Sequence, residues 1–175
     1  MAKIRKMLGS ADSPYIVSLM RLIETQSKTT IVTWSINYAE EHILPIYEKA
    51  YPEDHRLRNA LTASMDYIQG NMKLADAKKL IKEGQAAARE VEENPAAQAA
   101  ARATGQAAAT ITTITNSLAV AFYGAAAIAY DRVGLEETME VYDKIAAEEC
   151  AKMEAALRHV AVENEPNPVN INWNC

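Results

Sequence analysis

The chain has 175 residues, of which 49% are apolar and 23% charged, a composition typical of one globular domain with a hydrophobic core. Its formal net charge of −5 argues against a nucleic-acid-binding protein, since such proteins usually carry a basic face. No apolar run approaches the roughly 20 residues of a membrane span, and the polar residues after the basic start argue against a signal peptide. We therefore expect a soluble cytoplasmic protein that binds neither nucleic acid nor membrane.

Hydrophobic periodicity predicts helices along nearly the whole chain. Ser13 and Pro14 predict the start of the first helix, with serine as the N-cap and proline at the first helical position. A second helix is expected from about Lys28 to Ala50. We expect it to be kinked at Pro45, because proline removes one backbone hydrogen bond.

The next two helices follow directly. Asp54 is predicted to cap a third helix that ends at Gly70, and apolar residues spaced from Leu74 to Val91 predict a fourth.

Asn94 then starts an alanine-rich fifth helix. Alanine has little bulk, so two helices faced with it can pack closely. Since residues 86–129 hold 18 alanines, we expect the fifth and sixth helices to form the buried centre.

The β-branched segment 110–115 alternates like a strand, but a lone strand has no partner in this chain. We interpret it as a junction before a sixth helix that ends near Gly134. A last helix is expected over 135–160, with Cys150 on its apolar stripe. The prediction is an all-α, single-domain bundle of about seven helices over 1–175, with an N-terminal arm at 1–12.

The C-terminal segment 163–175 contains two prolines, which disfavour helix and favour an extended path. We expect this tail to run across the bundle with Trp173 as an anchor buried in a groove, since a buried aromatic ring offsets the entropy of ordering. The tail is either a structural latch or a part of the binding surface. Cys175 is either exposed or tucked under the tail.

Motifs of catalysis are missing from the sequence, including G-x-S-x-G, the P-loop and the dinucleotide fingerprint. Helical di-iron sites need repeated Glu-x-x-His, and alanine or proline stands three positions before each of the three histidines. Two cysteines 25 positions apart do not form a zinc pattern. We therefore predict no catalytic residue, no metal and no cofactor.

Three weaker features remain. The run Glu53-Asp54-His55 combines acids with a base, although a helix cap and an exposed turn explain it as well. Polar residues cluster around the 110–115 junction, and buried polar groups need hydrogen-bond partners. They either connect the two helices at the junction or form the wall of a polar pocket with Gln106, Thr112, Asn116 and Tyr123.

The third feature is charge, since residues 135–165 hold nine acidic and three basic residues. We place Glu136, Glu137 and Glu140 in the first turns of the last helix, where carboxylates also favour the helix dipole. The segment is either a solvated face or a docking surface for a basic partner, with Asp143 as a fourth contact.

Three blocks resemble a known family when taken in order. They are LPIYEKAYPEDHRLRNAL (44–61), ENPAAQAAARATGQAAAT (93–110) and FYGAAAIAY (122–130). In order and spacing they are similar to bacterial immunity proteins of the immunity-protein-five-like family, over roughly residues 30 to 135. The tail AVENEPNPVNINWNC also resembles a subset of that family.

The resemblance implies an all-helical cytoplasmic bacterial protein that binds a cognate toxin and blocks it. Many members of the family place histidines where this chain has Thr112 and Asn116, so any role of such histidines does not transfer. Blocking would be steric and electrostatic, without chemistry, against a toxin expected to be basic. Two other hypotheses stay open: a small-molecule binder or enzyme that uses the polar pocket, and a structural homo-oligomer such as a homodimer.

Overall fold

A computed structural model describes residues 3–174 of the chain, and Cys175 lies outside these described residues. Within them a π-helical turn, Ala39–Ile43, joins the second and third α-helices, so seven helical units follow one another and no strand occurs. The predicted all-α fold is confirmed. The α-helices are α1 (Pro14–Ile23), α2 (Lys28–Tyr38), α3 (Leu44–Ala50), α4 (Arg56–Ile68), α5 (Leu74–Arg89), α6 (Pro95–Ala109), α7 (Asn116–Val133) and α8 (Met139–Val160).

Local sequence signals set most helix ends. Ser13 and Pro14 start α1 as predicted. The side chain of Asn94 accepts a hydrogen bond from the backbone N–H of Ala97 at 3.1 Å and so caps α6. Gly134 ends α7 in the left-handed region, with φ +80°, where glycine meets no steric penalty.

The irregularity expected at Pro45 takes the form of the π turn. The N–H of Leu44 bonds to the carbonyl of Ala39, five residues back, and Pro45 has no N–H with which to resume the α pattern. The helix therefore widens for one turn before α3 begins. Segment 28–50 is thus one helical unit, with the predicted distortion placed just before the proline.

Two predicted helix starts were wrong by a few residues. His55, not Asp54, occupies the N-cap position of α4, and Asp54 accepts the N–H of Arg56 from one residue further out. The last helix begins at Met139 rather than at 135, because Thr138 caps it by accepting the N–H of Val141. The segment before it is therefore a loop, and the buried stripe of α8 starts only at Tyr142.

The alanine-rich helix α6 lies at the centre, as predicted. It packs against α2, α3, α4, α5 and α7, and ten of its fifteen residues are buried. Alanine and glycine side chains make this possible because they let neighbouring helices approach closely. Within residues 3–174 no helix is long and apolar enough to cross a membrane.

Both terminal segments pack on the helices. Leu8 of the N-terminal arm is fully buried, and its N–H bonds to the carbonyl of Phe122 at 3.2 Å. In the tail, the N–H of Val169 donates to the carbonyl of Gln26 at 2.9 Å. The indole N–H of Trp173 donates to Glu24 at 2.7 Å, and the ring is half-buried rather than fully buried.

Deleting residues 165–175 is expected to lower the melting temperature by roughly 3 to 10 °C. The deletion removes the Val169 and Trp173 contacts, together worth about 1 to 3 kcal/mol. Thermal unfolding followed by circular dichroism measures the loss. A control chain that ends at Trp173 keeps both contacts and should melt like the full chain. An unchanged melting temperature after the longer deletion would exclude the latch hypothesis.

Two glycines provide a matched test of helix packing. A Cβ at Gly84 would lie 3.0 Å from the Cβ of Ala60 and 3.1 Å from the carbonyl oxygen of Arg56, so α4 and α5 would have to separate. A Cβ at Gly105 would lie 3.0 Å from Cγ of Gln85, whose side chain can move, and no closer than 3.7 Å to any backbone atom of Gln85.

We expect Gly84→Ala to lower the free energy of unfolding by about 1 to 2 kcal/mol, because overpacking outweighs the gain in helix propensity. Gly105→Ala should be neutral or up to about 1 kcal/mol more stable, since the propensity gain then prevails. Urea unfolding midpoints compare the two variants. Equal shifts for both would contradict the close approach of α4 and α5.

Candidate functional site

A groove lined by aromatic side chains lies between α2 and the C-terminal end of α8, and we call it the aromatic groove. Its volume is about 420 Å³, within the range of small-molecule and side-chain pockets. Trp34 and Tyr38 come from α2, Glu41 and His42 from the π turn, and His159 from α8. The remaining wall consists of Thr29, Thr30, Thr33, Asn37, Ala156 and Val160.

The helix phase brings the rings together. Trp34, Tyr38 and His42 follow one another at intervals of four residues, so they lie along one side of the helical unit. The ring centroids of Tyr38 and His42 are 4.6 Å apart, with an interplanar angle of 42°. An oxygen of Glu41 lies 3.7 Å from Nε2 of His42 and adds a carboxylate to the same end of the groove.

The base of the groove is rigid. The indole N–H of Trp34 donates to the carbonyl of Met153 at 3.1 Å, which fixes the ring between α2 and α8. Burial, with Glu149 and then Glu41 nearby, raises the pKa of Tyr38 far above its usual range, so its phenol stays neutral. Burial also raises the pKa of Cys150 to about 12, so this packed thiol stays protonated, as its predicted core position requires.

The chemistry of the aromatic groove is that of a binding site. Within residues 3–174 the exposed side chains of Asn37 and His159 make no hydrogen bond, so they are available to a bound group, whereas Tyr38 is buried in the wall of the groove and only 6% exposed. Aromatic faces beside a carboxylate favour an apolar or cationic group through stacking and cation–π attraction. No three His, Cys, Asp or Glu side chains of the described part gather as ligands for a metal ion.

Sequence reasoning missed this groove. The interval of four between Trp34, Tyr38 and His42 is visible in the sequence, but by itself it indicates only one side of a helix. The opposite wall comes from Ala156 and His159, more than 110 residues further along the chain. Only the packing of α8 against α2 turns the ring stripe into a concave surface.

The structure places the predicted acidic residues in two local settings. Glu136 and Glu137 lie in the loop before α8 rather than in its first turns, while Glu140 and Asp143 lie on the helix. All four side chains are exposed. Arg5 of the N-terminal arm approaches Asp143 to 4.0 Å and neutralises part of this surface.

Glu149 does not contribute to the acidic surface, although it belongs to the acid-rich segment 135–165, because it is buried. Its residue is 3% exposed, and it accepts hydrogen bonds from Arg132 at 2.8 Å and Lys152 at 2.9 Å. Burial acts to raise its pKa, but the two cations hold the pKa of Glu149 below its ordinary value. Glu149 is therefore a structural ion pair between α7 and α8, not a docking residue.

Residues 21–156 match the family described as "Imm-5 like putative immunity protein". The chain belongs to this family. We found no match among curated proteins and none among solved structures. The match spans most of the chain and includes α2 and the π turn. Of the α8 residues that line the aromatic groove it includes Ala156, whereas His159 and Val160 lie beyond it.

In this member of the immunity-protein family the predicted polar pocket divides into two parts. Thr112 is exposed and donates to the carbonyl of Ala109 at 3.0 Å, and Asn116 donates to the same carbonyl at 3.4 Å. Both side chains connect the α6–α7 junction. Gln106 and Tyr123 instead line a different groove together, between α5, α6 and α7.

The run Glu53-Asp54-His55 is organised around one ion pair. The guanidinium of Arg56 donates to both oxygens of Asp54, at 2.9 and 2.8 Å, and the hydroxyl of Tyr47 donates at 2.6 Å. The Arg56 bonds first, and then the Tyr47 bond, hold the pKa of Asp54 well below its usual range. This carboxylate is therefore a structural acceptor at the start of α4.

Asp54→Asn is expected to lower the melting temperature at pH 7 by roughly 3 to 6 °C, since it removes about 1 to 2 kcal/mol of charge-assisted bonding. Because the folded-state pKa is depressed, this contribution is present above the unfolded-state pKa of about 4 and is lost as pH falls further. The difference from the parent chain should therefore shrink below about pH 4. Melting scans from pH 2 to 7 measure it, with Glu53→Gln as the exposed neighbouring control.

Proposed function

We propose that this chain is an immunity protein of the bacterial cytoplasm that binds one cognate toxin and neutralises it by covering its surface. The observation that carries the proposal is the family match over residues 21–156. The aromatic groove supports it, because a rigid aromatic base with free polar groups is a typical anchor for a protein partner. Neutralisation of this kind requires no chemistry from the immunity protein.

Charge indicates the kind of toxin. Glu136, Glu137, Glu140 and Asp143 are exposed at one end of α8, on a chain of net charge −5. Clustered carboxylates accelerate association with a basic partner and discriminate against acidic ones. We therefore propose a basic toxin whose cationic surface meets this end of α8.

The second contact is the aromatic groove, at the other end of α8. Ala156 lies sixteen positions after Glu140, which places the two surfaces about 24 Å apart along the helix axis. A standard protein interface of about 800 Å² per partner is roughly 30 Å across. We propose that one toxin contacts both surfaces by wrapping around α8, since sixteen positions also turn the helix by about 160°. A basic or apolar side chain of the toxin is then seated between Trp34 and His159.

The test starts with a pull-down of the purified protein from the lysate of its own bacterium, at low and then high salt. We expect one basic protein that is toxic when expressed alone and is harmless when co-expressed with this chain. High salt should weaken the complex, because exposed charge pairs are screened. A lysate without a toxic protein partner would contradict the proposal.

Variants of the acidic residues then test whether the toxin binds at this end of α8. Replacing Glu136, Glu137 and Glu140 by glutamine should weaken toxin binding about 5- to 30-fold at low salt, mainly through a slower association rate. The matched control neutralises Glu53, Glu83 and Glu92, which are exposed elsewhere, and should leave the affinity nearly unchanged. Equal weakening by both sets would show that only the net charge matters, and would exclude the acidic end of α8 as an interface.

A further inference from the structure

The arginines of this acidic chain divide into two groups. Six of the eight have a carboxylate oxygen within 4.0 Å, whereas Arg89 and Arg102 have none among residues 3–174. These two line one and the same groove, between α5, α6 and α7, and we call it the arginine groove. Its volume is about 320 Å³. The paired arginines are Arg5, Arg21, Arg56, Arg58, Arg132 and Arg158.

The arginine groove is built from matching helix faces. Gln85 and Arg89 stand one turn apart on α5, Arg102 and Gln106 stand one turn apart on α6, and Tyr123 faces them from α7. These five side chains supply guanidinium, amide and phenol donors. None of the five makes a hydrogen bond within the described residues, and no acidic residue lines the groove.

The central helix reaches solvent along only one stripe. From Ala97 to the end of α6 the residues that are not buried are Gln98, Arg102 and Gln106, at intervals of four. The amide of Gln98 already donates to the carbonyl of Ala88 at 2.8 Å. Arg102 and Gln106 are therefore the groups that α6 presents to a ligand, above the buried methyl groups of the alanines in the base.

Arg89 is exposed and Arg102 is half-buried, and no carboxylate of the described residues offsets their two positive charges in this groove, so an anion is favoured there. Arginine binds carboxylate and phosphate groups through paired hydrogen bonds, and it is weakly hydrated. We propose that the arginine groove binds a small anionic molecule through a carboxylate or phosphate group held by Arg89 and Arg102. Gln85, Gln106 and Tyr123 bind the rest of the ligand by hydrogen bonds.

The size of the arginine groove is compatible with a small molecule. A volume of about 320 Å³ lies at the lower end of the range for small-molecule sites. The site is on the α5–α6–α7 side of the bundle, whereas the aromatic groove is formed by α2 and α8. The proposal of an anion site is therefore independent of the proposal of toxin neutralisation, and each can be correct without the other.

The first test is a titration of the isotope-labelled full chain with three anionic probes. The probes are inorganic phosphate, citrate and adenosine monophosphate. Chloride is the balancing anion, so that the ionic strength stays constant. Arginine Nε–Hε resonances are followed by NMR, which needs no variant. We expect two of the eight arginine signals to shift saturably with at least one probe. A preference for citrate or for the phosphate compounds then shows whether the arginines bind a carboxylate or a phosphate group.

The second test compares two variants by calorimetric titration with the best probe. Arg102→Gln should weaken binding at least about tenfold, because it removes a charge-assisted pair of hydrogen bonds. Lys82→Gln removes the same charge from an exposed position on α5 outside the groove, and should bind like the parent chain. Arg102→Lys keeps the charge but loses the paired geometry, so its affinity should lie between the two.

Three outcomes would overturn the proposal. The first is that no arginine signal shifts with any of the three probes. The second is that all eight shift together, as a general salt effect would produce. The third is that Arg102→Gln and Lys82→Gln weaken binding equally, since net charge alone would then explain the anion affinity.

Discussion

Close helix packing across alanine and glycine is the constraint on which the rest of this structure depends. Helix α6 is surrounded by five neighbouring α-helices, and its small side chains let them approach. At Gly124 even a methyl group would lie 2.7 Å from Cδ1 of Ile43 and 3.1 Å from Cε of Met153. A centre of this kind has little room for larger or polar side chains, because each would separate helices that already touch.

The same constraint decides where polar chemistry lies. Some polar groups inside the centre bond to nearby carbonyls, as Ser64 does to Ala108 at 2.8 Å, whereas the hydroxyls of Ser35 and Thr104 are buried without a partner among the described residues. Other polar groups lie at the seams between helices, where the aromatic groove and the arginine groove are found. The aromatic groove joins rings from α2 to the end of α8, and the arginine groove joins two unpaired guanidinium groups. The arginine groove therefore follows from how α6 is enclosed, whereas the aromatic groove follows from the packing of α8 against α2.

Much of the fold was predictable because its signals are local. The helix start at Ser13 and Pro14, the cap at Asn94, the distortion at Pro45 and the end at Gly134 each depend on a few neighbouring residues. The start of α8 was misplaced because the apolar spacing extends back through the loop, whereas the cap at Thr138 decides the boundary. The site was far less predictable, since each groove combines residues from distant helices.

The sequence by itself determined the helical units, the alanine-rich centre and the family, since periodicity, propensity and ordered motifs are properties of the chain. Only the tertiary structure decided which charged side chains are buried in ion pairs and which have no charged partner. Glu149 is buried between Arg132 and Lys152, while Arg89 and Arg102 share a groove without a carboxylate. The physical reason is that the exposure and pairing of a charge depend on which helix packs beside it, and that packing joins residues far apart in sequence.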